Sequence, residues 1–237
     1  MVAAIVMALI GLLTGSAVWL VARRQTLRLP LFASPAGGTS NAWLPFVGRD
    51  PVPDDPDAKV PSATVRHAFT IAMAIYYGAL GWRLDFSREL LMVALFSVPL
   101  LIICLVDFWT RLIHTNVIAV GIVLGLVFAL IDGPGQLLRS VGGMLAATAA
   151  FILIFLLAIA IYRNINIVPF GLGDVYLAAM IGAMVRIDLV ARALLLGILL
   201  AGVILAALLA ARVLSRKQAV AYGPYLCLGA LVTLFFR

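Results

Sequence analysis

The chain has 237 residues, of which 65% are hydrophobic and only 11% are charged. Because a soluble globular domain carries about 25% charged residues, this composition excludes an ordinary soluble protein and predicts an integral membrane protein. Seventeen Lys and Arg against ten Asp and Glu give a net charge of +7. In a membrane protein such an excess is typical of cytoplasmic loops, so the charge is explained without a nucleic-acid partner and none is predicted.

Several apolar segments are long enough to cross a membrane, because about 20 helical residues span a hydrocarbon core of roughly 30 Å. Clear spans are predicted near residues 2–22, 89–106, 116–131, 140–161 and 190–211. Shorter apolar stretches, whose flanking charges favour further crossings, lie near 68–82, 174–186 and 221–236. The prediction is an all-α, polytopic fold with about eight transmembrane helices, forming a single integral membrane domain over residues 1–237.

The segment between the first and second spans, residues 23–67, is polar and contains seven prolines. Each proline fixes its own φ and removes a backbone donor, so a loop with little regular structure is expected. With eight crossings, the side that holds this loop carries eleven of the seventeen basic residues. The positive-inside rule makes that side the cytoplasm, and both termini then face away from it.

The ten carboxylates are informative, because a charged group at the bilayer centre costs about 2.5 to 3.5 kcal/mol. Eight are expected to be solvated in loops and turns, namely Asp50, Asp54, Asp55, Asp57, Asp85, Glu89, Asp132 and Asp188. The other two lie at the ends of spans, since Asp107 ends the third span and Asp174 begins the sixth. The predicted topology places both at the cytoplasmic face.

Two carboxyl groups at one depth can perform acid–base hydrolysis. They do not both ionise easily, so one is held protonated while the other takes a proton from water. Gly171 and Gly173 would let a peptide substrate approach Asp174 closely. Two simpler interpretations stay open at this point: Asp107 could pair with Arg111 one helical turn on, and Asp174 could be an N-terminal helix residue stabilised by the helix dipole.

Around these residues the sequence resembles the type IV prepilin peptidases, polytopic aspartyl proteases with a Gly-x-Gly-Asp motif. Gly171-Leu172-Gly173-Asp174 looks like the second aspartate motif of that family, and residues 107–113 resemble the first. Residues 11–16 in the first span and 222–226 in the last are similar to two further landmarks. The resemblance thus extends from the first predicted span to the last, with its landmarks in family order.

The resemblance implies an intramembrane aspartyl endopeptidase with Asp107 and Asp174 as catalytic residues. Its substrates would be prepilins or pseudopilins in a bacterial or archaeal inner membrane, cut on the cytoplasmic side to remove a short basic leader. Such proteolysis needs no cofactor, and S-adenosylmethionine is expected only if the chain also methylates the new N-terminus. The supporting or substrate-binding residues would be Gly171, Gly173, Arg111, His114 and Tyr176. Whether the substrates serve pili or secretion, and the oligomeric state, are left open.

The sequence also departs from the family pattern. His114 stands where the family usually has Pro, and Tyr176 where it usually has Lys. His114 could modulate the aspartate pair or be a solvated interfacial side chain. The loop at 23–67 has no cysteine, so no zinc site is expected, and Cys104 and Cys227 are read as small buried apolar residues. Two other functions stay open: a proton- or cation-coupled transporter that uses intramembrane carboxylates, and a non-catalytic relative that binds prepilins.

Overall fold

A computed structural model of the chain describes residues 1–26, 63–110, 113–162, 171–212 and 221–237. Arg111 and most of the predicted loop at 23–67 lie outside these ranges. Within them every regular element is an α-helix, which confirms the all-α prediction. The helices are α1 (Val2–Thr26), α2 (Ala63–Leu84), α3 (Arg88–Thr110), α4 (Thr115–Ile131), α5 (Pro134–Tyr162), α6 (Leu172–Ala210) and α7 (Gly223–Phe235).

The helices are those of a multi-pass membrane protein. Within the described ranges, four segments are long and apolar enough to cross a bilayer, namely Val2–Gln25, Arg88–Thr110, Pro134–Ile161 and Leu172–Ala210. α4 and α7 are apolar but shorter. Helix covers all eight stretches identified from hydropathy, but the number of crossings itself stays a prediction.

The ends of the predicted loop are helical, which corrects its boundaries. α1 continues through Arg23 and Arg24 to Thr26, and α2 already begins at Ala63. Hydropathy shows only where an apolar run ends. A helix can extend past that point, because polar residues also form its backbone hydrogen bonds. α2 is therefore 22 residues long, although its apolar stretch is shorter.

α6 is interrupted at Arg186, whose φ of 68° and ψ of 171° are not helical. A positive φ is unfavourable for a residue with a Cβ, so this backbone must be held by its surroundings. The interruption falls between the two stretches predicted near 174–186 and 190–211. We call residues 172–185 α6a and residues 187–210 α6b.

The described helices form two compact units, Met1–Val98 and Pro99–Arg237. In the first unit α1 and α2 cross closely, since a Cβ at Gly11 would lie 2.8 Å from the Cα of Ala74. The rings of Trp19 in α1 and Phe69 in α2 contact each other at a tilt of 41°, with centroids 5.9 Å apart. Small residues at such crossings let membrane helices approach closely. The single-domain prediction is not tested by this division.

In the second unit α6 is packed on both of its halves. Gly121 of α4 lies against Met180 and Gly125 lies against Ala183, so α4 and α6a run in the same direction and begin at the same end. α6b packs on α7, because a Cβ at Gly229 would lie 2.8 Å from the Cα of Gly197. α7 therefore has a fixed position beside α6.

Candidate active site

Asp107 lies in the last turn of α3 and is only 4% exposed. Gly223, the first residue of α7, lies directly against its carboxyl group: a Cβ there would overlap Oδ2 and stand 3.0 Å from Cγ. One turn before Asp107, the Sγ of Cys104 is 4.0 Å from the carbonyl oxygen of Pro224. The C-terminal end of α3 thus packs against the N-terminal end of α7. Position 223 must be a glycine there, because a side chain would collide with the Asp107 carboxyl group.

Asp174 lies in the first turn of α6 and is also buried, with 9% of its surface exposed. Its Oδ2 accepts a hydrogen bond from the backbone N–H of Gly171 at 3.2 Å. In return the N–H of Asp174 donates to the carbonyl oxygen of Gly171 at 3.1 Å. This reciprocal cap, together with the positive end of the helix dipole, stabilises the carboxylate. The interpretation of Asp174 as an N-terminal helix residue is therefore correct as local structure.

Two observations connect the surroundings of Asp107 and Asp174. Ile113, which ends the first aspartate motif, lies 3.2 Å from where a Cβ on Gly173 would stand. In addition, α4, which begins two residues after Ile113, and α6a, which carries Asp174 in its first turn, begin at the same end of the second unit. The structure thus brings the two aspartates to the same end of the second unit, as the topology argument requires.

The other predicted site residues differ in their surroundings. His114 precedes α4, and its carbonyl oxygen accepts from the N–H of Val117 at 3.1 Å. The side chain is half-buried, and its Nδ1 is shielded from solvent with no hydrogen-bond partner among the described residues. Tyr176 is 48% exposed. Since residues two apart do not face each other on a helix, its ring does not lie over Asp174.

The metal prediction can be compared only with the part of the chain that the structure describes. Across the described ranges, no group of three His, Cys, Asp or Glu side chains could hold a metal ion. The loop for which no zinc site is expected lies mostly outside those ranges, so that expectation stays a prediction. Cys104 and Cys227 are both free thiols; Cys227 is buried as expected, whereas Cys104 is only half-buried.

Sequence reasoning missed two features. Gly223 belongs to a recognised landmark, but its contact with Asp107 joins distant parts of the chain; a Gly-Pro pair opening an apolar helix is the one local signal. Asp132 is exposed in a turn, as expected, but its ion pair with the buried Arg186 was not predicted. Arg186 also donates to the Oε1 of Gln136 at 2.9 Å. An arginine next to an apolar run is the signal that could have indicated this pair.

The fold and the site together define a class: a polytopic helical membrane protein with two buried carboxyl groups gathered at one end of its helices. Residues 94–210 match the type IV leader peptidase family, and this match supports a prepilin-peptidase-type family for the chain. Both aspartates lie inside the matched region, which supports a leader-peptidase-like protease. Comparison with curated proteins and with solved structures gave no significant match.

Proposed function

We propose that the chain is an intramembrane aspartyl endopeptidase with Asp107 and Asp174 as its catalytic pair. The observation that supports this proposal is that two buried carboxyl groups lie at the same end of the second unit, where Ile113, from the segment that follows α3, contacts Gly173 beside Asp174. One carboxylate takes a proton from a water molecule, whose oxygen attacks the carbonyl carbon of the scissile peptide. The other, protonated, donates its proton to the carbonyl oxygen.

The proposed substrate is a prepilin-like or pseudopilin precursor that loses its short basic leader. The match of residues 94–210 to the leader peptidase family supports this substrate class. The apolar helix of such a precursor can lie in the bilayer while its leader junction reaches the aspartates. The junction must unwind there, because a helical amide has its carbonyl occupied by a hydrogen bond.

The proposed topology has eight crossings in a bacterial or archaeal inner membrane, with α6a and α6b as separate crossings and the aspartates on the cytoplasmic side. The distribution of basic residues supports this orientation, since eleven of seventeen fall on that side. A transporter is less well supported. Its broken helices would place half-helix ends at the carboxylates, whereas the interruption at Arg186 lies at the opposite end of α6a.

The test is the processing of a purified short pseudopilin by membranes that contain the chain. The product is measured by intact mass, which reports cleavage, its position and any added methyl group in one experiment. We expect a single cut that removes the leader. Methylation would require S-adenosylmethionine, so parallel reactions with and without it separate the two activities. An uncut precursor, with the chain folded and present, would contradict the proposal and favour a non-catalytic prepilin-binding protein.

Gly223→Ala is expected to lower the rate of cleavage about 100-fold. The new Cβ must displace either the Asp107 carboxyl group or the start of α7, and misplacing a reacting group by about 1 Å costs on the order of 100-fold. The measurement is the initial rate of pseudopilin cleavage at equal protein abundance. Gly202→Ala is the matched control, because nothing lies within 4 Å of a Cβ at that position. Equal rates for the two variants would contradict the assigned contact.

A further inference from the structure

A groove of about 380 Å³ lies among α1, α2 and the first half of α3, within the first unit. Met7 of α1 and Tyr77 of α2 are buried in its walls, whereas Leu91 and Leu95 of α3 are 56% and 38% exposed. The groove therefore opens towards the surroundings along α3. Its residues there recur at spacings of three and four, so they form one stripe along the helix: Ser87, Leu90, Leu91, Ala94, Leu95 and Val98.

The hydroxyl groups in the walls of the groove are bonded within the protein. The Thr14 hydroxyl donates to a carbonyl oxygen of its own helix. The Tyr77 hydroxyl donates to the carbonyl oxygen of Ala94 at 2.9 Å, and the Ser87 Oγ accepts from the N–H of Leu90 at 3.1 Å. Among the described residues, almost no polar surface is left facing into the groove. A polar occupant would lose its hydration there without a partner, so the groove selects an apolar chain.

The length of the groove corresponds to one leaflet of the bilayer. From Ser87 to Val98 the chain rises about 16 Å at 1.5 Å per residue, and half of a hydrocarbon core of roughly 30 Å is about 15 Å. Beside its outer end, Trp82 and Phe86 are 73% and 65% exposed, as is typical of aromatic side chains at a membrane interface. The groove thus runs from headgroup level to about the middle of the membrane, as a lipid acyl chain does.

The charged side chains beside the outer end indicate the headgroup. Arg83 and Arg88 are exposed there, and so are Asp85 and Glu89. The two arginines complement a phosphate, and the two carboxylates complement an ammonium group. Charges of both signs therefore suit a zwitterionic phospholipid, whereas an anionic lipid would meet attraction and repulsion together.

A protein helix is a poor fit to the same space. With its side chains a helix is about 10 to 12 Å across, which is too wide for a groove of this volume. We propose that the groove binds one acyl chain of a zwitterionic phospholipid, phosphatidylethanolamine being the simplest with an ammonium group, and that its headgroup lies over the turn between α2 and α3. In the proposed orientation this lipid belongs to the leaflet that faces away from the cytoplasm.

The test is photolabelling of the full chain in vesicles of phosphatidylethanolamine and phosphatidylglycerol. Two trace probes carry the same diazirine in the middle of an acyl chain, one with each headgroup, and labelled residues are located by mass spectrometry after digestion. We expect the phosphatidylethanolamine probe to label residues 87–98 about 5-fold more than the phosphatidylglycerol probe, because one complementary charge at the membrane surface is worth about that factor in affinity.

Two variants fill the groove. Ala94 and Val98 line it and are half-buried. In Ala94→Leu and in Val98→Phe the labelling of residues 87–98 should fall at least about 5-fold, because a close-packed side chain leaves no room for the acyl chain. Ala72→Leu is the matched control, since it adds the same side chain at an exposed position of α2 outside the groove. It should be labelled as the wild type is. Thermal unfolding in detergent verifies that each variant folds.

The outcomes are distinct. Labelling of the wild type that is spread evenly over the lipid-facing helices, or unchanged labelling in the filling variants, would overturn the site. Equal labelling of the groove by the two probes would overturn the assigned headgroup. Loss of the label on addition of a purified pseudopilin would show that a protein segment takes the groove, which also contradicts the proposal. None of these measurements uses cleavage, so they stand apart from the proposed proteolytic function.

Discussion

Asp107→Asn and Asp174→Asn should each reduce pseudopilin cleavage by about 1000-fold or more, with the chain still folded in the membrane. Asn preserves the shape of the side chain but neither takes a proton from water nor donates one as an acid. Each of these proton transfers contributes about 100- to 10,000-fold. The initial rate of leader loss, followed by intact mass, measures the effect.

If the two aspartates act as a pair, the same cleavage assay should also show non-additive effects of their substitutions. Because residues that act as a unit have non-additive effects, the double variant should be no slower than the slower single variant. Asp188→Asn is the control. This carboxylate lies on α6, as Asp174 does, but its side chain is 53% exposed and contacts Arg139 at 3.5 Å. It should cleave at the wild-type rate. Undiminished cleavage by either Asp107→Asn or Asp174→Asn would rule out the proposed mechanism.

Asp132→Asn is expected to give the largest loss of stability. Arg186 is 6% exposed, and Asp132 is its ionic partner. Asp132 is itself partly exposed, but its removal leaves the buried Arg186 charge with only the Gln136 hydrogen bond, and an uncompensated buried charge costs up to about 3 to 5 kcal/mol. For a chain of this length a loss of that size lowers Tm by about 10 °C. Thermal unfolding of the purified protein in detergent at neutral pH measures the shift.

An exposed ion pair nearby provides the comparison. Asp188→Asn breaks the Arg139 pair, whose side chains are more than half exposed, and exposed pairs contribute only about 0 to 1 kcal/mol. Its Tm should stay within about 3 °C of the wild type. Arg186→Gly and Arg186→Met both remove the charge, but only glycine relieves the positive φ, so Arg186→Gly should be the more stable of the two. Similar small shifts for Asp132→Asn and Asp188→Asn would contradict the assigned role of the buried pair.

Hydropathy predicted the helix positions well. The span predicted at 116–131 is α4 at Thr115–Ile131, and the one at 89–106 is α3 at Arg88–Thr110. A bilayer leaves an apolar run of this length little alternative to a helix, because every backbone group must be satisfied internally. The interruption of α6 was indicated in the same way, since Arg186 and Asp188 divide the apolar residues. The ion pair that holds it was not, because it depends on tertiary packing.

For the candidate site, too, one part follows from the sequence and another part depends on tertiary packing. That Asp107 and Asp174 share one end follows from counting crossings, a property of chain order. That Gly223 lies against Asp107, and that Gly229 lies against Gly197, depends on how α7 packs on α3 and α6b. No local pattern encodes those contacts, so only the structure reveals them.

The interruption at Arg186 has a consequence for the lipid around the protein. α6a has only 14 residues, α4 has 17 and α7 has 13, so at 1.5 Å per residue these helices rise about 21, 25 and 20 Å. Each is shorter than a hydrocarbon core of roughly 30 Å. Short membrane helices are accommodated by thinning the bilayer. Where these three cross, the headgroup layer should dip towards Asp107 and Asp174, which shortens the path for the water that hydrolysis consumes.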